Sequence, residues 1–202
     1  MLLDAETTDT RSPTPPMLFA VLLLHLAIGL GIVALGDRLG RRGFVVAAVA
    51  PLVTLVVLAS QLSKVVDGEV VTDSVEWIPQ LDLSLDLRLD AMAMVLALNV
   101  SGIGLLVCIY AVSYFSHPKP GTGRLAGLLT LFAGAMLGIA VSDHLIALFL
   151  FWELTSVTSY LLIGNDDENP RARSAALSAI LITGMGGLVM LAGFVLIGQA
   201  AG

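Results

Sequence analysis

Apolar residues fall along this chain in six long runs, at 17–36, 44–62, 91–115, 125–142, 144–164 and 174–198. One acidic side chain, Glu153, is the whole of their charge. A helix needs about 20 predominantly apolar residues to cross the hydrocarbon core of a bilayer, so each run reads as a transmembrane span. The fourth and fifth nearly touch. Taken as one helix from Leu125 to Gly164 they would reach roughly 60 Å, about twice the core thickness. Asp143 and His144, near the middle, therefore mark a turn at a membrane surface. The expected fold is an all-α polytopic membrane protein of about six transmembrane helices, with a membrane domain over 17–200.

A different period appears between the second and third spans. Leu81 to Asp90 reads Leu-Asp-Leu-Ser-Leu-Asp-Leu-Arg-Leu-Asp, a strict alternation. Alternate residues of a strand point to opposite faces, so this pattern predicts a half-buried strand. Val70–Ile78 is its expected partner, with Pro79 and Gln80 as the break. The outer loop at 65–90 should thus hold a short extracytoplasmic β-hairpin, its leucine face on the bundle and its aspartate face in water. Residues 1–16 carry Asp4, Glu6 and Asp9 against Arg11, then Pro13, Pro15 and Pro16. They lack the positive charge of a signal peptide and read as a disordered acidic tail.

Composition narrows the function classes. Of 202 residues 57% are hydrophobic and 13% charged, against about 25% charged in soluble domains. The net charge of −6 comes without any basic stripe, so nucleic acid is not an expected partner. The only cysteine is Cys108, which leaves no intramolecular disulfide and no cysteine-based metal cluster. No hydrolase triad, metal-ligand cluster or phosphate cradle stands out, so no cofactor is expected. Arginine and lysine are placed unevenly. Seven (Arg38, Arg41, Arg42, Lys119, Arg124, Arg171, Arg173) follow the odd-numbered spans, and three (Arg11, Lys64, Arg88) lie on the other side. The positive-inside rule then puts both the N-terminus and the hairpin outside.

Glu153 sits nine residues into the fifth span, about 14 Å along a helix and close to the bilayer midplane. An acidic residue at that depth is costly unless paired, protonated or facing water, and such residues mark proton and ion paths. A carboxyl that only locks helix packing is the plainer alternative. Ser156 and Tyr160 share its face as candidate helpers, within a helix also carrying Thr155, Thr158 and Ser159. His25 stands alone among apolar residues of the first span. Histidine relays protons near neutral pH, yet without a polar neighbour in its own helix a packing role is expected. Asp143 and His144 are expected to cap helix ends. The acid run Asp166, Asp167 and Glu168 beside Arg171 and Arg173 reads as a solvated turn. Gly127, Gly134 and Gly138, with Gly184, Gly186, Gly187 and Gly193, mark close helix packing.

The segment Phe151-Trp152-Glu153-Leu154-Thr155-Ser156-Val157-Thr158-Ser159-Tyr160-Leu161-Leu162-Ile163-Gly164 resembles the A-type subunit of Mrp cation/proton antiporters, relatives of the antiporter-like membrane subunits of respiratory complex I. Ile182-Thr183-Gly184 through Gly186-Gly187-Leu188 resembles the same branch. So do Trp77-Ile78-Pro79 and Leu87-Arg88-Leu89-Asp90-Ala91-Met92, and the likeness covers roughly residues 17–200. The resemblance implies the N-terminal portion of a secondary transporter subunit, rather than an enzyme, in a bacterial cytoplasmic membrane. It would exchange Na+ or another monovalent cation for H+ together with other membrane subunits. Glu153 would correspond to the family's helix-five glutamate, a proton carrier coupled to a lysine on a later broken helix. That helix has no counterpart within these 202 residues, and no lysine falls inside any predicted span. Two alternatives stand beside this reading: a proton-translocating subunit of a complex I-like NADH dehydrogenase, and a truncated, non-transporting structural piece.

Overall fold

The computed structural model describes residues 16–78, 83–116 and 120–201. The tail expected at 1–16, up to Thr14 and Pro15, the Pro79-Gln80 break and Lys119 lie outside the described residues. Among the described residues seven helices and two strands follow in order: α1 Met17–Leu39, α2 Arg42–Ala47, α3 Val49–Val66, β1 Val71–Ile78, β2 Leu83–Leu89, α4 Ala91–Tyr114, α5 Thr122–Val141, α6 Leu145–Ile163 and α7 Pro170–Ala201. Six spans are long and apolar enough to cross a membrane, because α2 and α3 together form the second. The chain is a multi-pass membrane protein.

The division between α2 and α3 has a local cause. Pro51 has no N–H to offer the carbonyl of Ala47, and its ring crowds that carbonyl, so the helix loosens at Ala48. Hydrogen bonds on either side, from Ala48 N to Phe44 O at 3.0 Å and from Leu52 N to Ala48 O at 3.1 Å, hold the two pieces in succession. The second span also extends beyond its apolar run. It ends at Val66, which brings Lys64 into the last turn of α3, where a cation suits the carbonyl end of the helix. α7 begins four residues before its apolar run, with Pro170 in the first turn and the Asn169 side chain accepting from Arg171 N at 3.0 Å.

The hairpin is antiparallel, pairing Val71 with Leu89, Asp73 with Leu87 and Val75 with Leu85. Leu87 and Leu89 are buried in a core shared with Leu18, Val21, Leu58, Met94, Leu137 and Val141. The leucine face thus lies on the bundle as the alternation predicts. One acid departs from that pattern. Asp73 occupies the inner face, buried, and Leu18 N donates to its Oδ2 at 2.6 Å. Pro16, at the cap position of α1, gives no side-chain bond, so Asp73 satisfies an amide that the helix start leaves open. On the outer face Ser74 and Ser84 each donate to Asp86 at 2.5 Å.

The hairpin reaches two further helix ends. Leu87 pairs with Ser142, and Asp143 N donates to Asp86 O at 2.9 Å, which ties β2 to the α5–α6 turn. Asp90 caps α4 by accepting from Ala93 N at 2.9 Å. That bond, with help from Arg88 at 3.3 Å, holds its carboxyl below the usual carboxylate range. His144 caps α6 as expected, its Nδ1 accepting from Ile146 N at 3.2 Å. Asp143 instead approaches Arg88 at 4.0 Å.

Below the hairpin, α1 and α5 are packed backbone to backbone. A Cβ on Gly123 would overlap the carbonyl of Gly36, and one on Gly127 would come within 2.7 Å of Gly29 O. Small residues permit this approach in a membrane, where helices gain chiefly from close van der Waals contact. At the end away from the hairpin, Phe44 stacks on Phe115 with centroids 5.4 Å apart over Ile32, Ala47, Cys108 and Ala111. α6 packs on α5, and α7 chiefly on α6. The rest of α7 presents Leu181, Ile182, Met185, Leu188 and Val189 as exposed apolar side chains.

Candidate functional site

Glu153 is half-buried on α6, on the side that meets α7. Its Oε1 is buried and has no hydrogen-bond partner. The carboxyl lies directly over Gly187 of α7, where a Cβ would overlap Oε1. The packing glycine and the membrane-depth acid of the sequence are therefore one contact. A side chain at position 187 would have to displace the end of the Glu153 carboxyl, which occupies that space. Among the described residues no cation is paired with Glu153.

The two residues named as its helpers have other contacts. Ser156 is buried one turn on, and its hydroxyl donates to Trp152 O at 3.4 Å. Thr155 and Thr158 bond to the same helix's backbone, at 2.7 Å to Trp152 O and 2.7 Å to Leu154 O. Hydroxyls bonded back along their own helix are satisfied without a partner helix. Tyr160, two turns from Glu153, lines a cavity of about 300 Å³ with Arg124, Asp167, Arg173, Ala176 and Leu177. That cavity lies at the end of the bundle away from the hairpin. Sequence reasoning missed the bonds there: Arg124 donates to Asn165 Oδ1 at 3.0 Å and Asn165 O at 2.7 Å, and meets Asp167 at 3.8 Å. Arg173 Nη1 donates to Asp167 O at 2.5 Å. Asp167 is thus tied to α5 and α7, while Asp166, Asp167 and Glu168 all stay exposed, as a solvated turn requires.

His25 is fully buried, with Nδ1 2.9 Å from Val21 O. Its own helix offers no polar neighbour, yet the adjoining helices do. It lines a cavity of about 290 Å³ with Asn99 and Thr130. Among the described residues no group of acids, histidines and cysteines could hold a metal ion.

Two family models match. Residues 77–124 fit "NADH-Ubiquinone oxidoreductase (complex I), chain 5 N-terminus", and residues 142–202 fit "NADH:quinone oxidoreductase/Mrp antiporter, TM". The chain belongs to this Mrp antiporter and complex I family of membrane subunits. The second match contains both Glu153 and Gly187, and the first contains the hairpin strand β2 with the cap of α4. Within the family, the likeness is to the N-terminal portion of the A-type Mrp subunit. A Staphylococcus aureus protein named "Putative antiporter subunit mnhA2" is 35% identical over 184 residues, which are 90% of this chain and 23% of that one. The chain therefore spans about a quarter of the length of the curated relatives it matches. The Mrp complex of Dietzia sp. DQ12-45-1b contains a chain 32% identical, with a TM-score of 0.62 over 85% of this chain and 18% of that one. The membrane-bound sulfane sulfur reductase, an archaeal respiratory membrane complex, shares the fold alone, at 17% identity with a TM-score of 0.72 over 88% of this chain and 36% of that one.

Proposed function

We propose that the chain contributes a proton-carrying glutamate, Glu153, to exchange of protons for Na+ or another monovalent cation by a multi-subunit antiporter in a bacterial cytoplasmic membrane. The observation that carries this reading is the buried, unpartnered Oε1 of Glu153 over Gly187, inside a family-matched span. An ionised carboxyl in such surroundings needs a compensating proton, cation or water. Uptake of a proton on one side and its loss on the other is the transport step such a group performs. Tyr160 and the cavity beside it lie toward the end away from the hairpin, where Arg124, Asp167 and Arg173 supply its polar groups, and Ser156 lies between Glu153 and Tyr160 along α6.

The test is Glu153→Gln, which keeps the shape of the side chain and removes the ionisation. In everted vesicles carrying the whole antiporter, cation-dependent collapse of a pH gradient should fall to background while the complex assembles normally. Retained exchange would sink the role of Glu153.

The match of residues 77–124 to a complex I model favours a second reading, a proton-translocating subunit of a complex I-like dehydrogenase. The same glutamate would serve. Co-purification with flavin and iron–sulfur subunits would decide for it, and purification with antiporter subunits alone would decide against.

A further inference from the structure

We propose that the cavity between α1, α3, α4 and α5 is a second proton-holding site of this chain, in which His25 Nε2 exchanges a proton with water held beside it. It is separate from Glu153, which lies between α6 and α7.

The tautomer follows from the one hydrogen bond the ring makes. Nδ1 lies 2.9 Å from the carbonyl of Val21, which can only accept, so Nδ1 carries the proton. In the neutral ring Nε2 is then a bare lone pair, with no hydrogen-bond partner among the described residues. A basic nitrogen left bare in a residue only 1% exposed requires a donor. The cavity that His25 lines is where that donor can be. Its volume of about 290 Å³ has room for several waters at ~30 Å³ each.

Water also needs two to four polar partners to stay in such a space. Three side chains from three helices supply them. His25 and Asn99 each lie eight residues beyond the hairpin-end start of their helices, about 12 Å deep. They therefore stand at one level. Thr130 of α5 gives its hydroxyl proton to Ala126 O at 2.9 Å, which leaves its lone pairs to accept from water. The Asn99 amide is exposed on the cavity rim at membrane depth, where lipid would leave its donors and acceptor unmet. The remaining wall includes the apolar Val100, Ile103, Val107 and Met136, so the polar end is where water finds partners.

A proton arriving from water bonds to Nε2 and makes the imidazolium, with Nδ1–H kept on Val21 O. Its return to water restores the neutral ring. Cys108 is the other titratable side chain lining the cavity. Among the lining residues of α2, α3 and α5 none is charged or titratable. Cys108 lies nine residues past Asn99 on α4, about 14 Å further, so the cavity runs from mid-depth toward the end away from the hairpin.

Isotope-edited infrared difference spectra of the assembled complex in liposomes, with labelled histidine and the His25→Gln spectrum subtracted, read the ring directly. With spectra taken from about pH 8 down to pH 5, the range over which histidine changes charge, conversion of a bare Nε2 to imidazolium is expected as the pH falls. It should persist unchanged in Glu153→Gln, which separates this site from the glutamate. Asn99→Leu should move the transition by at least about one pH unit, a tenfold change in proton affinity. A ring that stays in one state over the whole range would overturn the proposal, as would a transition unmoved in Asn99→Leu.

Discussion

Glu153 is in contact with its neighbour on α7, Gly187. The carboxyl is held where it is because Gly187 has no side chain, so one methyl group at that position tests the geometry without altering the acid. Gly187→Ala should push the carboxyl off α7 and slow exchange by roughly ten- to a hundredfold, the scale of an ångström-sized misplacement of a reacting group. Gly186→Ala, whose Cβ would meet nothing within 4 Å among the described residues, should leave the rate close to normal. Equal rates in the two variants, measured in the same vesicles, would separate Glu153 from Gly187. Depth and charge made Glu153 legible from sequence. The identity of the glycine opposite was not, since Gly184, Gly186 and Gly187 have the same chemistry and only the rotation of α7 chooses between them. The surroundings of His25 were hidden for a related reason. Its polar company, Asn99 and Thr130, comes from other helices, and periodicity along one helix does not reveal it.

Between elements, the α1–α5 contact is the tightest in the bundle because Gly29 and Gly36 face Gly127 and Gly123. A side chain on Gly127 would meet backbone atoms, Gly29 O at 2.7 Å and Val33 N at 2.8 Å, and backbone cannot swing aside. Gly127→Leu should therefore destabilise the fold by about 1–3 kcal/mol, the usual cost of overpacking. Mixed-micelle unfolding of the isolated chain would show it, and an unchanged midpoint would mean that α1 stands further from α5 than described. The apolar runs gave the spans to within a few residues because lipid leaves so few alternatives. The loosening at Ala48 depends on Pro51, a residue visible in the sequence but hidden within an unbroken apolar run. Asp73 shows the limit of alternation: β1 places it on the inner face, where α1 offers an unpaired amide.

The whole molecule divides into two ends. The hairpin gathers the starts of α1, α4 and α6, while Arg124 and Arg173 fasten the α6–α7 turn at the other. We propose that the hairpin end faces outward, on the distribution of arginine and lysine. Membrane-impermeant thiol labelling in intact cells should then modify Ser74→Cys in a background lacking Cys108. Asp166→Cys should be modified only after permeabilisation. The reverse pattern would invert the orientation.

The bond from Leu18 N to Asp73 also constrains the order in which the protein is made. The amide belongs to α1 and the carboxylate to the strand after α3, so the start of α1 lacks this cap until both segments have been made. β2 must wait longer still, because Ser142 and Asp143 emerge only after two more helices. The surface at the hairpin end is therefore completed only after α5 has been made, by segments that have already reached the same side of the membrane.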